Sequence, residues 1–303
     1  MKRLVWTAAL CVLTVACGFP RHDPREELAK IGVAYSPDAL VAQAGAGDTR
    51  AVELLLASGM HPGTADKAGS TALLNASAGG YPDVVRMLLD HGADPNQAGP
   101  HYMTPLMAAS WTGNVDVVKA LLAKGASVEP TDDTDDSALM LAVRARRPPV
   151  VKLLLDAGAK AGTANVAWTA LQLASFLGDV ATVNLLIAHG ASIDAADDRG
   201  MTPLMHAASA GHDGVIRALL ARHADVNAHD AWGETALMFA ANNGQTAAVR
   251  ALKDGGADVN ARNRTGGTAS SYASLNGHSD VVTLLGAGSV VPASIQPRDQ
   301  GAP

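Results

Sequence analysis

The feature that most constrains the fold of this chain is a short motif that returns about every 33 residues. Six copies of a triplet similar to Thr-Pro-Leu lie 33 residues apart, with one step of 32, and they begin at Thr71, Thr104, Ser137, Thr169, Thr202 and Thr235. A glycine stands nine residues after most of these positions, and most units end in a Gly-Ala pair. Markers that keep one phase indicate a series of stacked units rather than a single large core.

The residues of one unit, 202–228, indicate two short helices followed by a turn. Thr202 can cap a helix that has Pro203 at its first position, and Gly211 permits the tight turn after it. The segment 215–220 then carries an apolar stripe with helical spacing. One such unit is too thin to bury its own apolar face. The sequence therefore predicts an all-α repeat solenoid in which stacked helix-turn-helix units create the core.

These features resemble ankyrin repeats, and the resemblance covers residues 36–288. It implies about eight stacked units with β-turn fingers between them, end units that act as caps, and a non-enzymatic protein-binding scaffold whose partners meet the inner helices and the fingers. The sequence departs from the family pattern where methionine replaces the histidine that usually follows the triplet. The fourth unit has Arg146 in place of the turn glycine, and the finger after it lacks one residue. We therefore expect the fourth unit to be locally distorted.

Residues 1–16 have the pattern of a signal peptide, because two basic residues precede an apolar run, 4–16, that is too short to span a bilayer as a mature helix. The segment 13–18 resembles the lipobox of bacterial lipoproteins. This resemblance implies that Cys17 is lipidated and that the protein lies in the periplasm, tethered to the outer membrane. Thr14 stands where leucine is usual, so cleavage beside the cysteine and release as a soluble periplasmic protein stays open.

The remaining terminal segments are short. Residues 17–35 are interpreted as the lipidated N-terminus, a linker and a short capping helix that starts near Asp23-Pro24. Residues 289–303 contain three prolines and are predicted to form a disordered tail.

The composition argues against several functions. A net charge of -6 disfavours nucleic acid as a partner, since phosphate binding needs a basic surface. The two cysteines, Cys11 and Cys17, both precede the repeats, so the body can form neither a disulfide nor a thiolate metal site. No histidine pair has metal-ligand spacing, and no serine lies in a nucleophile motif. We therefore predict no catalytic, cofactor or metal site, and membrane contact only through the N-terminal lipid.

A comparison of the units, column by column, singles out a candidate partner-binding surface. Seven residues after the start of the triplet, the inner helices of units three to five carry Trp111, Arg144 and Phe176. Other large side chains lie on the fingers, namely Tyr102, Met103, Trp168 and Trp232. Aromatic rings around a guanidinium are typical of binding hot spots. The alternative is that Trp111 and Phe176 only pack against Arg144 and the neighbouring helices.

The segment 132–136 adds four aspartates to the finger before the fourth unit. We interpret this segment as a solvated, mutually repelling finger, in which Asp133 and Asp135 orient a basic surface of the partner. The sequence thus predicts an envelope adaptor that holds one protein partner on units three to five. The alternative that stays open is an inhibitor or immunity-type protein that blocks the cleft of a toxic or secreted enzyme with its fingers.

Overall fold

The computed structural model describes residues 23–286, and this part of the chain contains seventeen α-helices. A capping helix, α1 (Pro24–Lys30), comes first. Eight helix pairs follow, which we number as repeats 1 to 8: α2 (Pro37–Ala46) with α3 (Thr49–Ala57), α4 (Ala72–Gly79) with α5 (Pro82–Asp90), α6 (Pro105–Thr112) with α7 (Val115–Ala123), α8 (Ala138–Arg144) with α9 (Pro148–Asp156), α10 (Ala170–Leu177) with α11 (Val180–Ala188), α12 (Pro203–Ala210) with α13 (Asp213–Leu220), α14 (Ala236–Asn242) with α15 (Thr246–Asp254), and α16 (Ala269–Leu275) with α17 (Ser279–Leu285). The predicted repeat solenoid of eight helix-turn-helix units is confirmed.

The repeats stack in two layers. The first helix of each repeat packs on the first helices of its neighbours, and the second helices form a parallel layer behind them. One column of fully buried leucines runs through the second helices of seven repeats: Leu55, Leu88, Leu121, Leu154, Leu186, Leu219 and Leu252. Because each of these side chains is covered partly by an adjacent repeat, the core exists only when the units stack.

The triplet residues start the first helices in the way the sequence predicts. The Thr202 hydroxyl accepts a hydrogen bond from the amide of Met205 at 3.3 Å, and Pro203 occupies the first turn. The methionine that replaces the usual histidine returns a bond, since its sulfur accepts from the Thr202 amide at 3.4 Å. In repeat 5 this place is taken by Gln172, whose side-chain amide also donates to the carbonyls of Ala195 and Met201 at 3.0 Å.

The turn between the two helices of a repeat requires a left-handed residue. Gly113 has φ 86°, and a Cβ at this position would lie 2.6 Å from the Arg147 side chain. Arg146, which replaces the glycine in repeat 4, adopts φ 55° all the same. Repeat 4 therefore keeps both of its helices, and its distortion is limited to single left-handed residues, at Arg146 and at Asp135 with φ 61°.

The N-terminal end of the described chain is covered by α1. Asp23 caps this helix through the amide of Arg25, and Leu28 is buried against repeat 1. Among residues 23–286, no helix has the length and apolarity needed to cross a lipid bilayer. The predicted signal peptide, Cys17 and the C-terminal tail lie outside the described residues.

Candidate functional site

Seven β-turn fingers project beside the first helices, and we number each by the repeat into which it leads. Fingers 2, 4, 6, 7 and 8 share one design, in which the first side chain accepts hydrogen bonds from the amides two and four residues ahead; these residues are Asp66, Asp132, Asp197, Asp230 and Asn263. We call the surface between the fingers and the exposed side of the first helices the groove.

Finger 5 departs from this design because it is one residue shorter. Asn165 accepts from the amides two and three residues ahead, so the finger closes early and ends at Trp168. Backbone hydrogen bonds link the tips of neighbouring fingers elsewhere, for example from Ala231 to Arg199 at 2.8 Å. Among the described residues, no such bond joins the tip of finger 5 to finger 4 or finger 6. Finger 5 is tied to finger 4 through the side chains of Asn165 and Asp136, at 2.7 Å, and the groove is open on its finger 6 side.

In repeats 4 and 5, the residue directly before the triplet contacts both its own repeat and the next. In repeat 4 this residue is Asp136, which pairs with Arg144 at 2.7 Å and accepts a hydrogen bond from Asn165 at 2.7 Å. In repeat 5 it is Trp168, whose ring centroid lies 5.4 Å from that of Phe176 and 4.4 Å from that of His206. At these two junctions, the residue before the triplet therefore determines whether neighbouring repeats meet through charged or aromatic side chains.

The interpretation of residues 132–136 as a wholly solvated, repelling finger is wrong. Asp132 is buried and its carboxylate holds the finger together through the amides of Thr134 and Asp136. Asp136 is only 3% exposed, and Arg144 neutralises it. The Asp132 carboxylate accepts from backbone amides, and the Asp136 carboxylate accepts from the side chains of Arg144 and Asn165, so the burial of both is stabilised rather than opposed. Only Asp133 and Asp135 are exposed to solvent, as their predicted role requires.

Finger 3 holds two consecutive non-glycine residues in the left-handed region. His101 has φ 57° and Tyr102 has φ 56°, and Tyr102 occupies the place where fingers 2, 6, 7 and 8 have glycine. The His101 Nδ1 lies 2.7 Å from an Asp133 carboxylate oxygen, which ties finger 3 to finger 4. The left-handed backbone presents Tyr102 outward, with 71% of its surface exposed.

The predicted aromatic residues divide into two groups. Trp111 and Phe176 are 47% and 39% exposed on the first helices of repeats 3 and 5, and Trp232 is exposed on finger 7. Met103 and Trp168 were predicted at finger tips, but both are half-buried and pack on the core. The structure brings Trp168 and Phe176 together, whereas the Arg144 guanidinium is occupied by Asp136 rather than placed among the rings.

A recess of the groove lies between finger 5 and finger 6. It has a volume of about 690 Å³, within the range of roughly 300–1,000 Å³ typical of ligand sites. Its floor is formed by Phe176 and His206, and its sides by Val166 and Trp168 on one finger and by the segment 196–201 on the other. We call this recess the finger 5/6 cleft.

His206 is the residue of this cleft that the sequence analysis missed. It is 8% exposed, and its Nε2 atom has no hydrogen-bond partner in the described structure and lies 3.6 Å from an Asp197 carboxylate oxygen. Burial lowers the pKa of His206 from its ordinary value of 6.5 to about 4, against the opposing attraction of Asp197, so the imidazole is neutral near pH 7. The available signal was its column, which holds leucine, Leu141 and Leu173, in the two preceding repeats.

The comparisons with known proteins agree with this architecture. The family model described as ankyrin repeats, in three copies, matches residues 21–99, 39–132, 97–165, 139–230 and 219–293. The chain therefore belongs to the ankyrin repeat family. Among solved structures it is similar to the human ASB11 ankyrin repeat domain, with 26% identity and a TM-score of 0.66 over 73% of this chain and 100% of that chain. No curated protein matches the sequence.

Membership of this family defines the class of activity. Ankyrin repeats typically mediate binding between proteins and are typically not enzymes. Within residues 23–286, no group of three or more His, Cys, Asp or Glu side chains is arranged to hold a metal ion. What the groove offers is exposed aromatic surface, a deep cleft and acidic finger tips, which are the components of a protein-recognition surface.

Proposed function

We propose that this protein is a binding scaffold of the bacterial cell envelope that holds one protein partner in the groove of repeats 3 to 5. The observation that carries the proposal is the exposure of Trp111 and Phe176 on the first helices. Large aromatic side chains at solvent-facing positions of a rigid scaffold supply contact area at low entropic cost. Tyr102 on finger 3 extends the same surface.

The acidic tips complement this aromatic surface. Asp133 and Asp135 are exposed on finger 4, and both lie beside the repeats that carry Trp111 and Phe176. Charges at the rim of an interface accelerate association and select among partners more than they raise affinity. Finger 4 therefore orients a partner of basic surface, while the rings supply the affinity.

The envelope location in this proposal rests on the sequence of residues 1–18. A lipidated Cys17 would restrict the scaffold to the membrane surface, and a linker of a few residues would place repeat 1 close to it. Fractionation of cells that express the full chain tests this step. We expect the protein in the outer-membrane fraction and the Cys17→Ala variant elsewhere; equal distribution of the two would contradict a lipid anchor.

The binding step is tested by crosslinking in the native envelope. A photoreactive side chain at Ser209, in the same column as Phe176 on the next repeat, is combined with the double change Trp111→Ala and Phe176→Ala. We expect a specific crosslinked partner that the double variant loses.

The matched control is Val180→Ala, because Val180 is similarly exposed but begins the second helix of repeat 5, away from the groove. If the double variant and the control crosslink the same partner equally, the aromatic surface is not the binding site. An inhibitor of a toxic enzyme would instead show a crosslinked partner whose activity returns when the rings are removed.

A further inference from the structure

The geometry points to the finger 5/6 cleft as a pocket for a cationic side chain, lysine or arginine, carried by a basic segment of the partner protein. This inference rests on the proposed scaffold function and names the chemistry that the groove selects. It places a specific anchoring site beside the aromatic surface, at finger 5, which is one residue shorter than the other fingers.

The walls of the cleft suit the long apolar stem of such a side chain. The rings of Trp168 and Phe176 lie 5.4 Å apart and are inclined by 45°, and Val166 extends the apolar wall at the tip of finger 5. Lysine and arginine bury their methylene groups along apolar surface while the charged head stays near polar groups. The aromatic faces also attract the cation itself.

The rim of the cleft supplies carboxylate oxygens. One oxygen of Asp197 is occupied by the amides of Arg199 and Met201, at 2.9 and 2.8 Å. Its other oxygen faces the cleft floor, 3.6 Å from His206 Nε2, which is too far for a hydrogen bond. Asp198 is exposed beside it. The charged head of the inserted side chain would lie between these two carboxylates, with Asp197 nearer the floor and Asp198 nearer solvent.

The groups at the floor do not repel a cation. His206 is neutral near pH 7 because burial holds its pKa low, and its uncharged imidazole, tilted by 45° against the Trp168 ring, adds to the aromatic floor. The resident cation of the cleft is Arg199, which is exposed on finger 6 and therefore free to swing toward solvent. Arg199 competes with an incoming cation, so the inference predicts that removal of Arg199 increases the affinity of the cleft for a cationic side chain.

Finger 4 carries negative charge that suits a basic segment. Its Asp133 and Asp135 are exposed, whereas Asp230 and Glu234 of finger 7 are buried and contribute none at the surface. An extended segment lying along the fingers would pass from the acidic tip of finger 4 to the finger 5/6 cleft and the exposed Asp198 on finger 6. Complementary charge of this kind favours a basic partner over an acidic or purely apolar one.

The test uses the full repeat body and fluorescent ten-residue peptides of alternating alanine and a second residue. The second residue is arginine in the probe, and citrulline, glutamate or leucine in the comparison peptides. We expect the arginine peptide to bind about tenfold more tightly than its citrulline counterpart, because citrulline keeps the stem and planar head but lacks the positive charge. Tighter binding of the glutamate or the leucine peptide would overturn the inference in favour of an acidic or an apolar segment.

The variants assign the binding to the cleft. Asp198→Asn is expected to weaken the arginine peptide about threefold, and Arg199→Ala is expected to tighten it by a similar factor. The matched control is Asp116→Asn, which changes the net charge equally on the outer helix α7, where it is exposed, and should change the affinity much less. An Arg199→Ala variant that binds more weakly would contradict a cation pocket directly.

The aromatic wall of the cleft is tested by Trp168→Leu rather than by truncation to alanine, because Trp168 also packs on the core. A leucine keeps part of the apolar volume but removes the aromatic face, so we expect a loss of about fivefold in peptide affinity in a protein that still unfolds cooperatively, at a lower temperature than the parent. Unchanged peptide affinity in this variant would remove the wall from the pocket. The two proposals can fail separately. If the Trp111 and Phe176 double variant loses its crosslinked partner but the Asp198 and Arg199 variants bind the peptide as the parent does, the scaffold function stands and only the pocket is refuted.

Discussion

His206 gives a prediction whose size follows from its surroundings. The side chain is enclosed by Trp168 and the first helices of repeats 5 and 6, and burial moves its pKa from 6.5 to about 4. In the unfolded chain the same imidazole titrates near 6.5. Between these two values the unfolded state therefore binds more protons than the folded state, and the free energy of unfolding must decrease as the pH decreases.

The magnitude comes from the two pKa values. The full shift corresponds to about 3 kcal/mol, and the part lost between about pH 7.5 and about pH 5 is about 2 kcal/mol. The neighbouring charges act in opposite directions, since Asp197 raises the pKa of His206 and Arg199 lowers it. Their effects are smaller than that of burial, so the sign of the pH dependence is set by desolvation.

The assay is urea unfolding of the repeat body at several pH values, compared with the His206→Leu variant. Leucine is a suitable replacement because Leu141 and Leu173 occupy the same column in the preceding repeats. The difference between the two proteins isolates His206 from the carboxylates that also titrate in acid. We expect the variant to be at least as stable near pH 7, because it removes a buried unpaired nitrogen, and to gain about 2 kcal/mol relative to the parent at about pH 5. Parallel pH profiles, or an NMR titration of His206 near its ordinary pKa, would refute the reasoning.

Three further predictions concern single side chains. Tyr102→Gly should raise the free energy of unfolding by up to about 1 kcal/mol, because glycine tolerates the left-handed backbone, yet it should weaken partner crosslinking; weaker urea resistance would contradict this. Gln172→Ala should lower stability by about 2 kcal/mol in urea melts, because two finger carbonyls lose their donor, whereas no loss would mean that water replaces it. Arg144→Ala should cost about 1–2 kcal/mol, since it leaves Asp136 buried without its cation, and adding Asp136→Asn should recover part of that loss.

The fold could be predicted from the sequence because its signals are local and repeated. Thr202, Pro203 and Gly211 each act within one turn of their own helix, and the structure confirms their roles as cap, first-turn residue and left-handed turn. The stacking follows from the spacing of the leucines, which need no knowledge of any particular neighbour. Departures such as Arg146 could also be located, because the other repeats show that glycine is expected at this position.

The groove was less predictable because its chemistry depends on contacts between repeats. Nothing local distinguishes Asp136, which is buried and paired, from Asp135, which is exposed one residue before it. The direction of each side chain depends on the next finger, which supplies Asn165 as a partner for Asp136. In the same way, Trp168 lies in the wall of a cleft rather than at a tip because it contacts Phe176 of its own repeat and His206 of the next.

Three departures of this chain from its own repeat lie along the proposed binding surface. Tyr102 and Asp135 occupy glycine positions on fingers 3 and 4 and accept an unfavourable backbone conformation there. Finger 5 lacks a residue and forfeits the hydrogen bonds that join other finger tips. Each departure costs stability without improving the core, so packing gives no reason for it. All three expose or open the groove beside Trp111 and Phe176, which is the outcome that recognition of a partner requires.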